Sequence, residues 1–258
     1  MAADIESKQL KDRSCLVCGA VSYNIKPGHN GYNILKCSKC RLEYCDPMPT
    51  VEQLDAFYAN YKDVRASRAV VKANARRNID NLRELGLSER SHLLDYGSGQ
   101  GAFCKVGGSE SWSNYDPYTD DNDKKLLTEG VYDWVTAWGV LEHMVDPLEL
   151  LGKFRSFLKA GGYLALTTVS IESAIPFQYK PPEHVTYWTR AALEQALDRN
   201  GLRLCVCREY FMEQNSEVYL GAVLRTVPLE LQVQISHTMP PMVEVPTNEI
   251  FAVAQRFE

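Results

Sequence analysis

The sequence predicts an α/β fold: an open, mostly parallel sheet with helices on both faces, preceded by a small cysteine-rich module. Three observations predict it. From residue 91 onward, short apolar strands alternate with amphipathic helical stretches, the pattern of parallel strand–helix units. A glycine-rich run, Asp95-Tyr96-Gly97-Ser98-Gly99-Gln100-Gly101-Ala102, follows the first of those strands. Near the start, four cysteines stand in two C-x-x-C pairs.

Composition bounds the rest. The 258 residues are 45% hydrophobic and 24% charged, which excludes a disordered or collagen-like chain. The length fits one large domain with a small appendage. The net charge of −5 argues against a dedicated nucleic-acid binder. No apolar run approaches the roughly 20 residues of a membrane span. The polar, mixed-charge stretch Met1 to Arg13 does not read as a signal peptide, so a cytoplasmic protein is expected.

The first module comes from its cysteines. Cys15-x2-Cys18-x18-Cys37-x2-Cys40 is the spacing of a tetrathiolate zinc site. Each C-x-x-C turn aims two thiolates at one point, and four protein ligands make such a site structural. The competing readings are four unrelated thiols or two disulfides, and disulfides do not suit a cytoplasmic chain. Residues 1–46 are therefore expected to be a zinc ribbon, with Lys26-Pro27-Gly28 and Asn30-Gly31 as hairpin turns. Cys45 reads as a spare thiol, and Cys104, Cys205 and Cys207 read as core residues.

Residues 47–90 read as a helical linker. Thr50-Val51-Glu52-Gln53 is a capping box, with Leu54, Phe57, Tyr58 and Tyr61 at helical spacing behind it. A second helix is expected over 64–85, with Val64, Val71, Ile79, Leu82 and Leu85 among its apolar positions, and Gly86 ending it. Residues 1–90 carry 15 Lys+Arg against 11 Asp+Glu, and residues 91–258 carry 13 against 22. The basic ribbon either offsets a negative zinc–thiolate centre or meets an anionic partner.

Residues 91–226 supply the sheet. Strands are expected at Ser91–Tyr96, Trp112–Tyr115, Tyr132–Trp138 and Tyr163–Val169, with two more near 202–209 and 216–226. Asp146-Pro147-Leu148-Glu149 opens a helix through a capping box and a proline at its first position. Gly161-Gly162 are expected to stop it. Thr189 caps another helix, ended by Asn200-Gly201. The tail, 227–258, has weak periodicity and several prolines and is not placed.

Ligands of such sheets sit at the strands' carboxyl ends, where glycines let the backbone approach closely. Asp116, about 20 residues on, ends the next strand where a ribose would be held. The glycine run alone also satisfies the dinucleotide pattern G-x-G-x-x-G/A and can equally be a plain surface turn.

Longer strings decide between these. LLDYGSGQG resembles the first motif of class I S-adenosylmethionine-dependent methyltransferases. YDWVTAWGVLEHMVDP resembles their fourth-strand signature, and LKAGGYLALTT their later L-K-P-G-G strand. PPEHVTYWTRAALEQAL resembles the substrate-side segment of a bacterial branch that often carries an N-terminal zinc ribbon followed by P-x-P-T, here Pro47-Met48-Pro49-Thr50. Sugar methyltransferases of that branch are similar. The resemblance covers most of residues 15–226 and implies a Rossmann-like fold and S-adenosylmethionine as methyl donor. It places Gly97, Gly99 and Gly101 against the methionine moiety and Asp95 beneath it. Asp116 falls to the ribose hydroxyls, and Trp138 borders the sulfonium. On the acceptor side it implies His184 as base, His143 second, and Glu183 beside them. His143 reads equally as a hydrogen-bonded histidine at a helix start, His184 as an anchor of the lid. Tyr179, Tyr187 and Trp188 read either as stacking platforms or as core.

The chain departs from the family pattern in two places. Only 16 residues separate Asp116 from Asp133, so the third strand is expected to be rudimentary or absent. The large C-terminal domain of sugar C-methyltransferases is not expected here, and a proline precedes Glu183-His184. O-methylation of a hydroxyl on a small polar acceptor, a sugar or nucleotide-sugar, is the expected reaction. An RNA methyltransferase with the ribbon holding RNA, a non-enzymatic binding module and a nicotinamide-dependent oxidoreductase are the alternatives. The acidic catalytic half argues against RNA, and the later motifs against the oxidoreductase.

Overall fold

The structure, a computed structural model, describes residues 13–59, 67–119, 123–173, 179–223 and 239–257. The first module is a small antiparallel sheet of β1 (Ser22–His29), β2 (Tyr32–Cys37) and β3 (Glu43–Asp46). Asn30 and Gly31, both at positive φ, turn β1 into β2, as an Asn-Gly hairpin requires. The turn expected at Lys26-Pro27-Gly28 is instead an irregularity within β1. β1 is an edge strand, where a proline is tolerated.

Thr50 starts α1 (Val51–Ala59) through a reciprocal box. Its hydroxyl accepts from Gln53 N at 3.3 Å, and Gln53 Oε1 accepts from Thr50 N at 2.9 Å. Ser67 caps α2 (Arg68–Arg83), whose Val70, Ala75, Ile79 and Leu82 are buried. The expected earlier start at Val64, and Tyr61, lie outside the described residues.

The main sheet has six strands in the order β5-β4-β6-β7-β10-β9. These are β4 (Leu93–Tyr96), β5 (Trp112–Tyr115), β6 (Tyr132–Trp138), β7 (Leu158–Val169), β9 (Leu202–Asn215) and β10 (Met242–Arg256). The first four are parallel, and β10 runs antiparallel to both of its neighbours. On one face, α2 and α3 (Ala102–Gly107) bury Ile79, Leu82 and Phe103. On the other, α4 (Pro147–Phe157) and α5 (Arg190–Arg199) bury Leu151, Phe154, Leu193 and Leu197. Asp146 and Thr189 cap these two helices as expected. This is the Rossmann-like architecture that the alternation predicts.

Several expectations are corrected. Gly161-Gly162 do not stop α4, which ends at Phe157 and passes directly into β7. Gly162 lies within that strand, where a Cβ would stand 3.1 Å from the carbonyls of Tyr132 and Asp133. Residues 216–223 form a helix, α6 (Ser216–Val223), not a strand. The tail supplies β10, which inserts between β7 and β9. Its burial is continuous only from Ile250 to Ala254, so its pattern alternates too weakly to read. Between β5 and β6 the described residues hold a short 3-10 turn (Lys124–Leu126) and no strand, as the short interval implies. Cys205 is exposed at a register shift in β9, not in the core.

The two sheets meet at β8 (Thr186–Tyr187), which pairs with β3 of the ribbon. Trp188 beside it is fully buried and bridges to Ser170 at the end of β7. Trp188→Ala is expected to cost about 3–5 kcal/mol of stability. Urea denaturation followed by far-ultraviolet circular dichroism checks it.

Candidate active site

The glycine loop leaves β4 with Gly97, Gly99 and Gly101 all at positive φ, a backbone path that side chains disfavour. A Cβ on Gly97 would stand 2.6 Å from Val140 Cγ2. The loop therefore lies directly on the residue that follows β6 and its Gly139. A Cβ on Gly99 would meet nothing within 4 Å, so the loop opens onto free space there.

Asp116, buried at the end of β5, braces the loop. Its Oδ2 accepts from Gly99 N at 2.8 Å, and its Oδ1 accepts from Tyr118 N at 2.8 Å. A carboxylate has about four acceptor sites, so both oxygens retain capacity for ribose hydroxyls. Ser98 Oγ, Asn114 Oδ1 and Trp138 Nε1 are buried without a hydrogen-bond partner. Unsatisfied buried polar atoms call for a ligand or water. Those of Ser98 and Asn114 belong to the loop and the strand beside it, which fits a polar cofactor on the loop. Trp138 itself packs between Phe103 and Phe251, at ring distances of 5.4 and 6.3 Å.

Asp95 lies under the loop, fully enclosed, and accepts from Thr136 Oγ1 at 2.7 Å. Burial, with Asp116 nearby, raises its carboxyl to about pH 7.

The opposite side of the site is assembled from three distant segments. A 3-10 turn (Leu141–His143) after β6 presents Glu142 and His143. The loop before β8 presents Glu183 and His184, and α1 presents Tyr58. The rings of His143 and His184 are 4.9 Å apart and edge-on. His143 Nδ1 is 2.6 Å from both the Tyr58 hydroxyl and the Glu183 carbonyl oxygen. Glu183 Oε1 is 3.8 Å from His184 Nε2. Glu142 is buried and accepts from Thr168 Oγ1 at 2.9 Å. Burial lifts it to about 7, and the same cause with Glu142 alongside lifts Glu249 to about 7. Tyr58 also links the two sides, since its ring lies 5.4 Å from that of Tyr118, beside Asp116.

The sequence names His143, Glu183 and His184, and the structure draws them together. It does not mark Tyr58, which reads there only as one apolar position of a helix. Nor does it mark Asn114, Thr168 or Glu249, because their roles come from strand register. Tyr187 and Trp188 are fully buried, so they are core and not stacking platforms. Tyr179 is partly buried and donates to Glu43 of β3 at 2.6 Å.

The four ribbon cysteines converge. Cys15 and Cys40 Sγ are 3.5 Å apart, Cys18 and Cys37 Sγ 3.4 Å, and all four sulfurs lie within 4.8 Å of one another. The amides of Lys39 and Cys40 donate to Cys37 Sγ. A hydrogen bond with Cys40 draws the Cys15 thiol down to about 5. This all-sulfur donor set fits a tetrahedral zinc ion. Cys45 stays apart, buried and pushed up to about 12.

A methyltransferase-domain family profile matches residues 70–205. The chain belongs to this methyltransferase family. Its fold is the class I S-adenosylmethionine-dependent methyltransferase fold that the motifs imply. A tRNA U34 carboxymethyltransferase from Dichelobacter nodosus is 30% identical over 45% of this chain and 47% of its own. The chain thus spans about half the length of that curated relative. Among solved structures, a Haloferax volcanii complex of the Trm112 methyltransferase activator with a methyltransferase matches 80% of this chain and 98% of that one. Its identity is 15% and its TM-score 0.54. A methyltransferase dependent on S-adenosylmethionine, from Archaeoglobus fulgidus, matches 74% of this chain and 95% of that one, at 23% identity and TM-score 0.48. Among the described residues, no helix is long and apolar enough to cross a membrane.

Asp95 generates a pH prediction. Its folded-state carboxyl holds a proton that the unfolded chain has already released, so its contribution favours folding below about pH 4 and is lost as pH rises through about 7. Asp95→Asn is expected to remove its share of this dependence, a slope of at most about 1.4 kcal/mol per pH unit, and to leave the shares of Glu142 and Glu249, which are also raised to about 7. Urea melts of both proteins across this range, without donor, measure it.

Proposed function

We propose that this chain transfers a methyl group from S-adenosylmethionine to a hydroxyl of a small polar acceptor, of the sugar or nucleotide-sugar class. The observation that carries the reading is the meeting of His143 and His184, from segments 40 residues apart, beside the loop that Asp116 braces. When bound, the donor supplies an electrophilic methyl on a sulfonium. Gly97, Gly99 and Gly101 let the backbone lie against its methionine part, Asp116 holds the ribose hydroxyls, and Asp95 supports the loop from below. Trp138 closes the inner wall. Positioning of this kind is worth roughly 7–11 kcal/mol.

His143 and His184 activate the acceptor hydroxyl. In its neutral form the His184 ring takes up the hydroxyl proton, with the Glu183 carboxylate 3.8 Å from Nε2 to stabilise the charge it gains. A base of this kind contributes about 10²- to 10⁴-fold. The ribbon holds zinc through Cys15, Cys18, Cys37 and Cys40. Its role is structural, because protein fills all four positions.

The likeness to a tRNA-modifying enzyme favours a second reading, a nucleoside acceptor within RNA. The excess of acidic residues over 91–258 weighs against a broad RNA contact. Filter binding to tRNA over a salt series separates the two readings. Tight binding that falls steeply with salt would carry the RNA reading.

Calorimetric titration with S-adenosylmethionine is the direct test, with NAD as control. Asp116→Ala is expected to weaken donor binding by about 10- to 100-fold. His184→Ala is expected to leave donor binding unchanged and to lower kcat by about 10²- to 10⁴-fold. An Asp116→Ala variant that binds donor normally overturns the cofactor assignment. Metal analysis is expected to find one zinc per chain, lost in Cys37→Ser.

A further inference from the structure

Two groups of metal-type ligands converge among the described residues: the four cysteines, and Glu142, His143 and His184. In the second group, one ligand atom from each residue lies within 4.8 Å of the other two. A cation at about 2.0–2.2 Å from each would bring those atoms to roughly 3–3.5 Å. The longest of these separations thus closes by up to about 1.8 Å, shared between three rotating side chains.

The tautomer of His143 suits a ligand. The Glu183 carbonyl oxygen, 2.6 Å from Nδ1, can only accept. Nδ1 therefore carries the proton, which makes Nε2 the unprotonated nitrogen of the neutral ring. Metal-binding histidines are fixed in this way, by donating their other N–H to a carbonyl or carboxylate.

Charge points the same way. Glu142 is 2% exposed, and Glu183 and Glu249 act on it or are acted on by it. Among the described residues, neither Glu142 nor Glu249 forms an ion pair with a lysine or arginine. Buried carboxylates call for a compensating positive charge. A divalent ion between Glu142 and the two imidazoles supplies it.

We infer that Glu142, His143 and His184 form a binding site for a divalent transition-metal ion, distinct from the ribbon's zinc. Two imidazoles and one carboxylate suit Mn²⁺, Fe²⁺, Co²⁺ or Zn²⁺, whereas Mg²⁺ and Ca²⁺ take oxygen sets. Three protein ligands leave coordination positions open, the arrangement of catalytic sites. The site adjoins the donor loop, since Val140, which Gly97 packs on, stands between Gly139 and this turn. Two open positions match an acceptor with adjacent oxygens, such as a vicinal diol. A hydroxyl bound there is acidified. This part rests on the hydroxyl-acceptor reading and refines it: with the ion bound, His143 and His184 act as its ligands in place of proton removal by His184, and the proton of the metal-bound hydroxyl leaves to solvent. Tyr58 is a positioning residue, since it holds His143 through Nδ1.

The test is Co²⁺ titration of the full chain with its ribbon zinc in place, followed by visible absorption. One further equivalent is expected, with d–d bands and no new thiolate-to-cobalt charge transfer. Glu142→Gln and His184→Ala are each expected to weaken Co²⁺ binding at least tenfold, and Tyr58→Phe to weaken it about tenfold. Circular dichroism and S-adenosylmethionine titration of each variant report folding and the donor site separately. No further equivalent, or undiminished affinity in either folded ligand variant, overturns the site. Co²⁺ binding without donor binding leaves the cation site standing and overturns the methyl-transfer reading.

Discussion

One short stretch, residues 183–189, is gripped from three sides, and the half of the candidate site that carries His143 and His184 depends on that grip. The ribbon holds it through the pairing of β3 with β8, through Cys45 N donating to Val185 O at 3.0 Å, and through Thr189 Oγ1 donating to Cys40 O at 2.8 Å. The main sheet holds it through Trp188 N to Val169 O and Ile171 N to Trp188 O, both at 2.9 Å. The turn after β6 holds it through Val185 N to Glu142 O at 2.8 Å. Loops that carry chemistry need a rigid support. Here His184 sits in a loop but is fixed nearly as well as a residue in a strand.

That grip gives the ribbon a part in the site without placing any of its cysteines there. Residues of the ribbon (Val17, Leu42, Tyr44) share one apolar core with Trp188, Leu193 and Leu197. Arg199 of α5 reaches back to the carbonyl of Val17. A module this small buries too little surface to be stable alone. Docking on the larger sheet compensates, and the docking surface is the segment that carries His184.

Electrostatically, the two halves differ. On the donor side, Asp116 spends its carboxylate on backbone amides and keeps acceptor capacity for a polyhydroxylated ligand. On the histidine side, carboxylates and imidazoles crowd together, and burial raises the carboxyls of Glu142 and Glu249 to about 7. Tyr58 joins the halves by touching Tyr118 with its ring and His143 with its hydroxyl. A change on either side therefore reaches the other through packed groups.

The sequence by itself determined the parts whose physics is local. Turn chemistry and capping marked the starts of α1, α4 and α5. Cysteine spacing marked the four thiols that converge in the ribbon, and the glycine run marked the loop. The short interval after Asp116 foretold a rudimentary or absent third strand, and the described residues there hold none. Only the tertiary structure decided what depends on long-range pairing. The insertion of β10 between β7 and β9, the helix at 216–223 and the absence of a stop at Gly161-Gly162 all follow from register against distant strands. A one-residue choice there changes which face a side chain takes. The approach of Tyr58, Glu142, His143 and His184 is of this kind. Residues from α1, from the turn after β6 and from the segment before β8 meet because the ribbon and the sheet share that segment. No spacing in the chain records such a meeting.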